Sequence, residues 1–272
     1  MTSTVSRRLL GAPILAALLL ALGCSAPITT VEGPAVPFQM AAPSLRLTAL
    51  GDSIAAATNC DDCESFVALF GLRVAADRQR PVDVENLGVP GWTSDDLLDS
   101  LDVDSDDAET VRDSDLVTIT IGANDFYSDL DTYFDGDCGG DDQLECFDPE
   151  LDRLQTTLDT VLRRVAELRD GRLTDVFVTG YWDVFPDGDV AEELYGPQFL
   201  VDSAALTQRA NAVIDAAATR AHATYVDLFD AFKGAAGATD PTDLLADDGD
   251  HPNQAGHRLI ADALAAASET AS

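Results

Sequence analysis

Basic residues are scarce in this sequence, and their scarcity excludes one broad class of function. The chain of 272 residues has 16 lysines and arginines against 49 aspartates and glutamates, a formal net charge of −33, and Lys233 is its only lysine. Such a surface repels nucleic acid and anionic lipid headgroups. We therefore expect no nucleic-acid partner. The acidic residues indicate a well-solvated surface and point to no particular substrate.

Long apolar runs are also lacking. The most prominent one extends from Leu9 to Leu22, follows Arg7 and Arg8, and is too short to span a bilayer comfortably. A short basic segment before such a run is typical of a bacterial secretion signal, here residues 1–24. The sequence therefore predicts an exported protein.

The end of this segment carries a candidate lipid attachment site. Ala21-Leu22-Gly23-Cys24 resembles the lipobox of bacterial lipoproteins, although Ala21 replaces the usual Leu. The resemblance implies that Cys24 is lipidated and is the protein's only attachment to a membrane, which makes it a cell-surface lipoprotein. The alternative is a plain secretory signal and a secreted protein. Residues 25–43 contain four prolines and predict an extended tether, which leaves residues 44–272 as one domain.

Cysteine is rare as well, and its count favours disulfides. Of five cysteines, removal of Cys24 leaves an even number, which in an exported chain favours two disulfides over metal ligation. Three pairings are open, and we expect the sequence-local ones, Cys60–Cys63 and Cys138–Cys146. A zinc site would need histidine or a second close cysteine pair. Acidic residues between Cys60 and Cys63 raise thiol pKa values and disfavour a redox motif, so no metal or redox site is expected.

Predicted strands and helices alternate along the chain, with irregular stretches at 126–149 and 181–198. The strands are predicted at 45–50, 82–87, 116–121, 175–180 and 224–228, and the helices at 64–80, from 93 onward, and at 151–169, 201–222 and 252–267. This order predicts an α/β fold with a parallel, five-stranded, flavodoxin-like sheet covered on both faces. A dinucleotide cofactor is not expected, because no Gly-x-Gly-x-x-Gly follows a strand at the start of a helix.

A serine follows the first of these strands. Gly51 permits a tight turn that places Ser53 at the carboxyl edge of the sheet, where open α/β sheets bind ligands. A serine hydroxyl becomes a nucleophile when a nearby base takes its proton. Ser53 is therefore a candidate nucleophile, although Gly-Asp-Ser also occurs in ordinary turns.

The sequence has three histidines that could serve as the base. His222 ends a predicted helix, where a helix-terminal or core residue is typical. His257 lies inside the last predicted helix, and we expect it on the surface. His251 is best placed, since it stands in a loop that leads into a helix whose first turn is predicted to begin at Pro252.

Three acidic residues in this loop are candidates to orient His251. Asp248 can fold back to accept the imidazole N–H, which is the task of the acid in a catalytic triad. Asp247 and Asp250 remain alternatives. An acidic turn with an exposed histidine is the simpler interpretation of the loop on its own.

Acyl transfer also requires donors for the negatively charged oxygen of the transition state, the oxyanion. Gly91 can offer a backbone N–H with no side chain in the way, and Asn124 can offer its side-chain amide beside the N–H of Ser53. Taken separately, Gly91 and Asn124 are ordinary turn residues. Their order in the chain, each after a predicted strand, favours the functional interpretation.

These residues stand in four blocks, and the sequence resembles the SGNH hydrolases, the superfamily of GDSL-type esterases and lipases. The blocks are Gly51-Asp52-Ser53-Ile54, Asn86-Leu-Gly-Val-Pro-Gly91, Gly122-Ala-Asn124-Asp125 and Asp248-Gly-Asp-His251-Pro252. The resemblance implies a three-layer α/β/α fold without a cofactor. It also implies Ser53 as nucleophile, His251 as base, Asp248 as its orienting acid, and an oxyanion hole formed by Ser53, Gly91 and Asn124.

Family membership does not name a substrate, because one scaffold carries many activities. Aromatic residues in the two irregular stretches suit an acyl groove, which favours an esterase or lipase acting on small acyl esters or lipids. They also suit stacking on a sugar, which favours an O-acetyl esterase acting on acetylated glycans. A lipoprotein that binds glycan or lipid without turnover is the third alternative. We expect a monomer.

Overall fold

A computed structural model of the protein describes residues 42–271. The predicted signal of residues 1–24, its Cys24 and the tether up to residue 41 lie outside the described part. No helix within residues 42–271 combines the length and apolar composition needed to cross a bilayer.

Strands and helices alternate as the sequence predicts. The strands are β1 (Leu45–Gly51), β2 (Val82–Gly88), β3 (Leu116–Thr120), β4 (Val176–Thr179) and β5 (Thr224–Val226). The helices are α1 (Phe66–Arg78), α2 (Ser94–Ser100), α3 (Asp106–Arg112), α4 (Leu130–Phe134), α5 (Asp148–Leu168), α6 (Gly188–Tyr195), α7 (Pro197–Ala221), α8 (Leu228–Lys233) and α9 (Gln254–Ala271). Short 3₁₀ turns lie at Ala123–Asp129, Glu145–Phe147 and Thr242–Leu244.

The five strands form one parallel sheet in the order β2-β1-β3-β4-β5. The register aligns the last residue of β1, Gly51, with Gly88 of β2 and Thr120 of β3. The loops after these three strands therefore leave the sheet at one common edge. The predicted five-stranded, flavodoxin-like α/β/α fold is confirmed.

Burial of the strands follows their place in the sheet. β3 and β4 are buried at every residue, whereas the edge strand β2 is largely exposed. Around the sheet, α1 packs against α9 and α5 packs against α7. In α5 the buried residues recur every three or four positions, which gives the helix one apolar face toward the core.

Some elements differ from the prediction. The helices α3, α4, α6 and α8 were not predicted; α4 and α6 lie in the stretches predicted to be irregular, and α8 begins at Leu228, the last residue of the strand predicted at 224–228. The last helix begins at Gln254 and not at Pro252, because Pro252 pairs with Leu245 in an antiparallel bridge. Asn253 then caps the helix, since its side-chain oxygen accepts the N–H groups of Ala255 at 2.7 Å and Gly256 at 3.2 Å.

Candidate active site

The turn that carries Ser53 depends on glycine. Gly51 has a φ of +144°, and a Cβ at this position would lie 2.0 Å from the carbonyl oxygen of Thr120. Only glycine therefore lets β1 run so close to β3. The Asp52 N–H donates to that same Thr120 oxygen at 3.0 Å, and the half-buried Ser53 follows at the carboxyl edge of the sheet.

The buried side chain of Asp52 stabilises this turn through hydrogen bonds. It accepts them from the backbone N–H of Ile54 at 3.0 Å and from the hydroxyl of Tyr181 at 2.5 Å. Burial raises the pKa of Asp52 to about 7, although both hydrogen bonds oppose the rise. Asp52 belongs to a recognised motif, but nothing in the sequence pointed to Tyr181, which lies after β4.

Asp248 is the acid that contacts His251. The Nδ1 atom of His251 lies 2.7 Å from Asp248 Oδ2 and 3.8 Å from Asp250 Oδ2. Asp247 is exposed and forms no hydrogen bond to His251 within the described chain. Of the three acids left open by the sequence, the geometry favours Asp248.

The two nearer acids differ in their electrostatics. Burial would raise the pKa of Asp248, but hydrogen bonds from the backbone N–H groups of His251 and Asp250, and from the side chains of Asn59 and His251, lower it to about 2. Burial raises the pKa of Asp250, and the nearby charge of His251 only partly offsets this. Asp248 is therefore the carboxylate that stays ionised beside the imidazole ring.

Gly91 and Asn124 lie on loops that contact each other. Gly91 has a φ of +83°, and apart from its two chain neighbours no residue has an atom within 4 Å of the position a Cβ would take, so its backbone is open on that side. Asn124 Nδ2 donates to the carbonyl of Trp92 at 2.8 Å. Next to it, the buried Asp125 accepts the N–H of Ser94 at 2.9 Å. The structure thus brings together the two loops predicted to supply oxyanion donors.

Ser53 and His251 lie in the same region without a direct hydrogen bond. The charge of His251 acts on Asp52, the residue before Ser53. The His251 ring contacts Asp248, Asp250 and Asn59, and it forms no hydrogen bond with Ser53 Oγ among residues 42–271. Catalytic hydrogen bonds in unliganded enzymes often tighten only when substrate binds.

The other two histidines are placed elsewhere. The expectation that His257 lies on the surface is wrong: its side chain is fully buried, and its Nδ1 accepts the N–H of Phe66 at 3.3 Å. Burial, together with the charge of His251, lowers the pKa of His257 to about 4. His222 is the exposed C-cap of α7, with a φ of +60°, which agrees with a helix-terminal residue.

The expected cysteine pairs are side by side. Cys60 and Cys63 are bonded with their Cα atoms 5.2 Å apart, and Cys138 and Cys146 with their Cα atoms 4.5 Å apart. Residues 42–271 contain no group of three or more His, Cys, Asp or Glu side chains arranged to hold a metal ion.

Aromatic rings from both predicted irregular stretches form a connected surface. The Tyr127 ring packs edge-on against Phe185 at 5.2 Å, and Phe134 stacks on Tyr195 at 5.4 Å between ring centres. Tyr127, Phe134 and Tyr195 are exposed by 41%, 50% and 44%. Burial, together with the nearby negative charges of Asp250 and Asp248, raises the pKa of the Tyr127 hydroxyl. These rings therefore extend from the His251 loop to the surface.

The five-stranded parallel sheet with its surrounding helices has the α/β/α architecture of the SGNH hydrolases. The family model described as the GDSL-like Lipase/Acylhydrolase family matches residues 49–259, and the chain belongs to this family. The match begins just before Ser53 and ends after His251, so it includes all four sequence blocks.

A curated relative and several solved structures are similar to this chain. The uncharacterized protein YpmR of Bacillus subtilis (strain 168) is 33% identical over 115 residues, which are 41% of this chain and 45% of that protein. The match therefore spans less than half the length of this curated relative.

Among solved structures, the lipase Lip_vut3 from a goat rumen metagenome has a TM-score of 0.61 and 20% identity, covering 82% of this chain and 97% of that one. Axe2, an acetylxylan esterase from Geobacillus stearothermophilus, has a TM-score of 0.57 and 22% identity, covering 82% and 94%. A lipase/acylhydrolase from Enterococcus faecalis has a TM-score of 0.53 and 20% identity, with the same coverage. At these identities the likeness shows the fold alone.

Proposed function

We propose that this protein is a serine hydrolase that cleaves carboxylic esters through an acyl-enzyme intermediate, with Ser53 as the nucleophile. The observation that carries the proposal is the contact of 2.7 Å between His251 Nδ1 and Asp248 Oδ2. The charge of His251 also acts on Asp52, the residue before Ser53. Family membership supports the same chemistry.

Asp248 sets the tautomer of His251. Its ionised carboxylate accepts only, so the Nδ1 atom carries the hydrogen between them. The lone pair of the other ring nitrogen, Nε2, is then free to take the proton of the Ser53 hydroxyl as Ser53 attacks the ester carbonyl. The imidazolium formed in this step is stabilised by Asp248, and it protonates the leaving alcohol. Water then releases the acid from Ser53, with His251 again acting as base.

The developing oxyanion is stabilised by donors from three loops. The backbone N–H of Ser53 and the N–H of Gly91 are two of them. An amide nitrogen has two hydrogens, and one on Asn124 is committed to Trp92, so the second is available for the oxyanion.

The substrate that we propose is a small, uncharged acyl ester or a lipid ester. With a net charge of −33 the protein surface disfavours anionic substrates, while the exposed rings of Tyr127, Phe134 and Tyr195 provide an apolar surface beside the His251 loop. The second candidate is an acetylated glycan, because partly exposed rings also stack on sugars. A structural neighbour named as an acetylxylan esterase agrees with this candidate. Binding without turnover is disfavoured because Ser53, Gly91, Asn124 and His251 are all present.

Activity on p-nitrophenyl acetate, butyrate and longer esters, and on acetylated xylan, tests the proposal. We expect hydrolysis of the p-nitrophenyl esters by the oxidised protein and none above background by Ser53→Ala. Preference for longer chains supports a lipase, and faster release of acetate from xylan supports the glycan esterase. No turnover of any of them would favour the binding protein. We also propose that the protein is exported and anchored through Cys24, which incorporation of labelled palmitate into wild type but not Cys24→Ser would test.

A further inference from the structure

Asn59 extends the turn of Ser53 toward the loop of His251. Backbone hydrogen bonds close the turn, with the Thr58 N–H donating to the Ser53 carbonyl at 3.0 Å. Asn59 follows with a φ of +59°, a left-handed conformation that asparagine tolerates better than most residues. From this position its side chain leaves the turn and contacts Asp248.

The contact is a hydrogen bond from an amide to a carboxylate. Asn59 Nδ2 donates to Asp248 Oδ2, the same oxygen that lies 2.7 Å from His251 Nδ1. An ionised carboxylate cannot donate, so the amide must present its nitrogen to Asp248. Asn59 Nδ2 also lies 3.5 Å from His251 Nδ1. The Nδ1 atom of His251 already carries a hydrogen directed at Asp248, so it does not accept one from Asn59. The contact between Asn59 Nδ2 and His251 Nδ1 is therefore a packing contact of the amide against the ring.

The two oxygens of Asp248 are held in different ways. Oδ1 accepts the backbone N–H groups of Asp250 at 2.9 Å and His251 at 3.0 Å, both from its own loop. Oδ2 is held by the His251 ring and by Asn59. Within the described residues, Asn59 is thus the one hydrogen-bond donor to Asp248 that comes from outside the loop.

We propose that Asn59 is a positioning residue that holds Asp248 Oδ2 against His251 and ties this pair to the turn of the nucleophile. Asn59 does not touch the reacting atoms and acts through Asp248. The neighbouring Cys60 and Cys63 close a tight turn, with the Cys63 N–H donating to the Cys60 carbonyl at 2.9 Å, and this turn braces Asn59. The kinetic consequence rests on the proposed function, whereas the contact itself does not.

Several charged or titratable groups face His251 besides Asp248. Asp250 Oδ2 lies 3.8 Å from Nδ1, and the buried Asp52 and His257 interact with His251 electrostatically. Tyr127 faces Asp250. The test variants must leave all of these unchanged, so each of them alters Asn59 alone; the other variants named below serve only as a control or to assign NMR signals.

Asn59→Asp is the sharpest variant. Aspartate has the same shape and also tolerates the left-handed conformation, but it replaces the donor with a carboxylate. We expect kcat/KM to fall roughly tenfold or more through kcat, with little change in KM, because the charge-assisted hydrogen bond is lost and Asn59 does not contact substrate. The acidic limb of the pH–rate profile should shift to higher pH, since the added negative charge favours the imidazolium form of His251.

Asn59→Gly removes the amide without backbone strain, because glycine accepts a positive φ. Asp248 then has one donor fewer and attracts the imidazolium proton more strongly, so the acidic limb should again move upward, by less than in Asn59→Asp. The matched control is Asp61→Asn, which changes a charge on an exposed residue of the same turn. Its rate and pH profile should equal those of wild type.

Titration of the His251 imidazole by NMR provides a readout that needs no substrate. The chain has three histidines, so His222→Gln and His257→Gln assign the signals. A raised His251 pKa in Asn59→Asp, with lowered kcat, supports the proposal. An unchanged titration, or a shifted titration with a wild-type rate, overturns it, whatever happens to the melting temperature. If wild type hydrolyses no ester, the proposed function fails, and the NMR titration still decides whether Asn59 holds Asp248.

Discussion

The side-chain amide of Asn124 donates a hydrogen bond of 2.8 Å to the backbone carbonyl of Trp92. Asn124 follows β3, and Trp92 follows Gly91 in the loop after β2, so this bond joins the loops of the two strands that flank β1 in the sheet. Asp125 adds a second link to Ser94 at the start of α2. The position of Gly91 and the orientation of the Asn124 amide are therefore coupled.

We predict that Asn124→Ala lowers kcat by roughly 10²–10³-fold with a small change in KM, because the oxyanion carries its charge mainly in the transition state. Melting temperature and kcat should be measured on the same sample. If Asn124 only supports the turn, the variant will melt earlier but keep a normal kcat in its folded fraction. Intact folding with normal kcat would exclude an oxyanion role.

The strand pattern was enough to predict the sheet, for a physical reason. A parallel strand buried on both faces is rich in apolar and β-branched residues, and residues 116–121 carry that signal, with Thr118 and Thr120 as the two polar members. The helices α4 and α6 escaped prediction because they are only five and eight residues long and lie among aromatic and acidic residues. Their apolar side chains pack against residues that are distant in the sequence. The hydrophobic periodicity of a short segment does not reveal such contacts.

The site could be predicted only where a residue type stands in a characteristic turn. Asp248 and His251 are separated by three residues, and their contact follows from local chain geometry. Tyr181 and Asn59 reach the site from other elements, 129 and 189 residues from their partners Asp52 and Asp248. His257 was misplaced because helical spacing alone did not show that Phe66 covers it.

Ser53→Ala and His251→Ala should each remove nearly all hydrolysis, by several orders of magnitude in kcat, because nucleophile and base act as a unit. The double variant should be little worse than either single one. His222→Ala is the matched control for His251→Ala, since His222 lies exposed at the end of α7, and it should retain full activity. Residual turnover by Ser53→Ala near the wild-type rate would remove Ser53 from its role.

Replacement of the two nearby acids should separate their roles. Asp248→Asn keeps the size of the side chain but removes the charge that stabilises the imidazolium of His251, and we expect a loss in kcat of roughly 10³–10⁴-fold. Asp250→Asn should lose less than about tenfold, because Asp250 lies 3.8 Å from the ring nitrogen. Steady-state kinetics of both variants on one ester decide the assignment. The reverse ranking would make Asp250 the orienting acid.

Peptide mapping without reductant should link Cys60 to Cys63 and Cys138 to Cys146. Each bridge closes a short loop, so its removal should cost about 2 kcal/mol of unfolding free energy in the chain-entropy account. Loss of the first bridge should also lower kcat, because Cys60 follows Asn59. The double variant Cys60→Ser/Cys63→Ser tests this, with Cys138→Ser/Cys146→Ser as its counterpart. Free thiols in the oxidised protein would contradict the pairing.

Two buried groups should give the stability opposite dependences on pH. The pKa of Asp52 is raised from 3.8 to about 7 in the folded protein, so its contribution to stability is fully present below pH 3.8 and is lost as the pH rises to about 7. The pKa of His257 is lowered from 6.5 to about 4. Its contribution is present above pH 6.5 and is lost as the pH falls to about 4, because the unfolded chain then binds the proton first. Between pH 4 and 6.5 the two effects oppose each other.

His257→Gln isolates the second effect. Glutamine keeps an acceptor for the Phe66 N–H but does not titrate, so the difference in unfolding free energy between wild type and variant should change by about 3 kcal/mol between pH 7 and pH 4. Wild type should lose stability relative to the variant as the pH falls. Denaturant titrations at several pH values measure this difference, and comparison at each pH cancels the contribution of Asp52. A difference that stays constant with pH would mean that His257 titrates alike in the folded and unfolded chain, which is incompatible with its burial against Phe66.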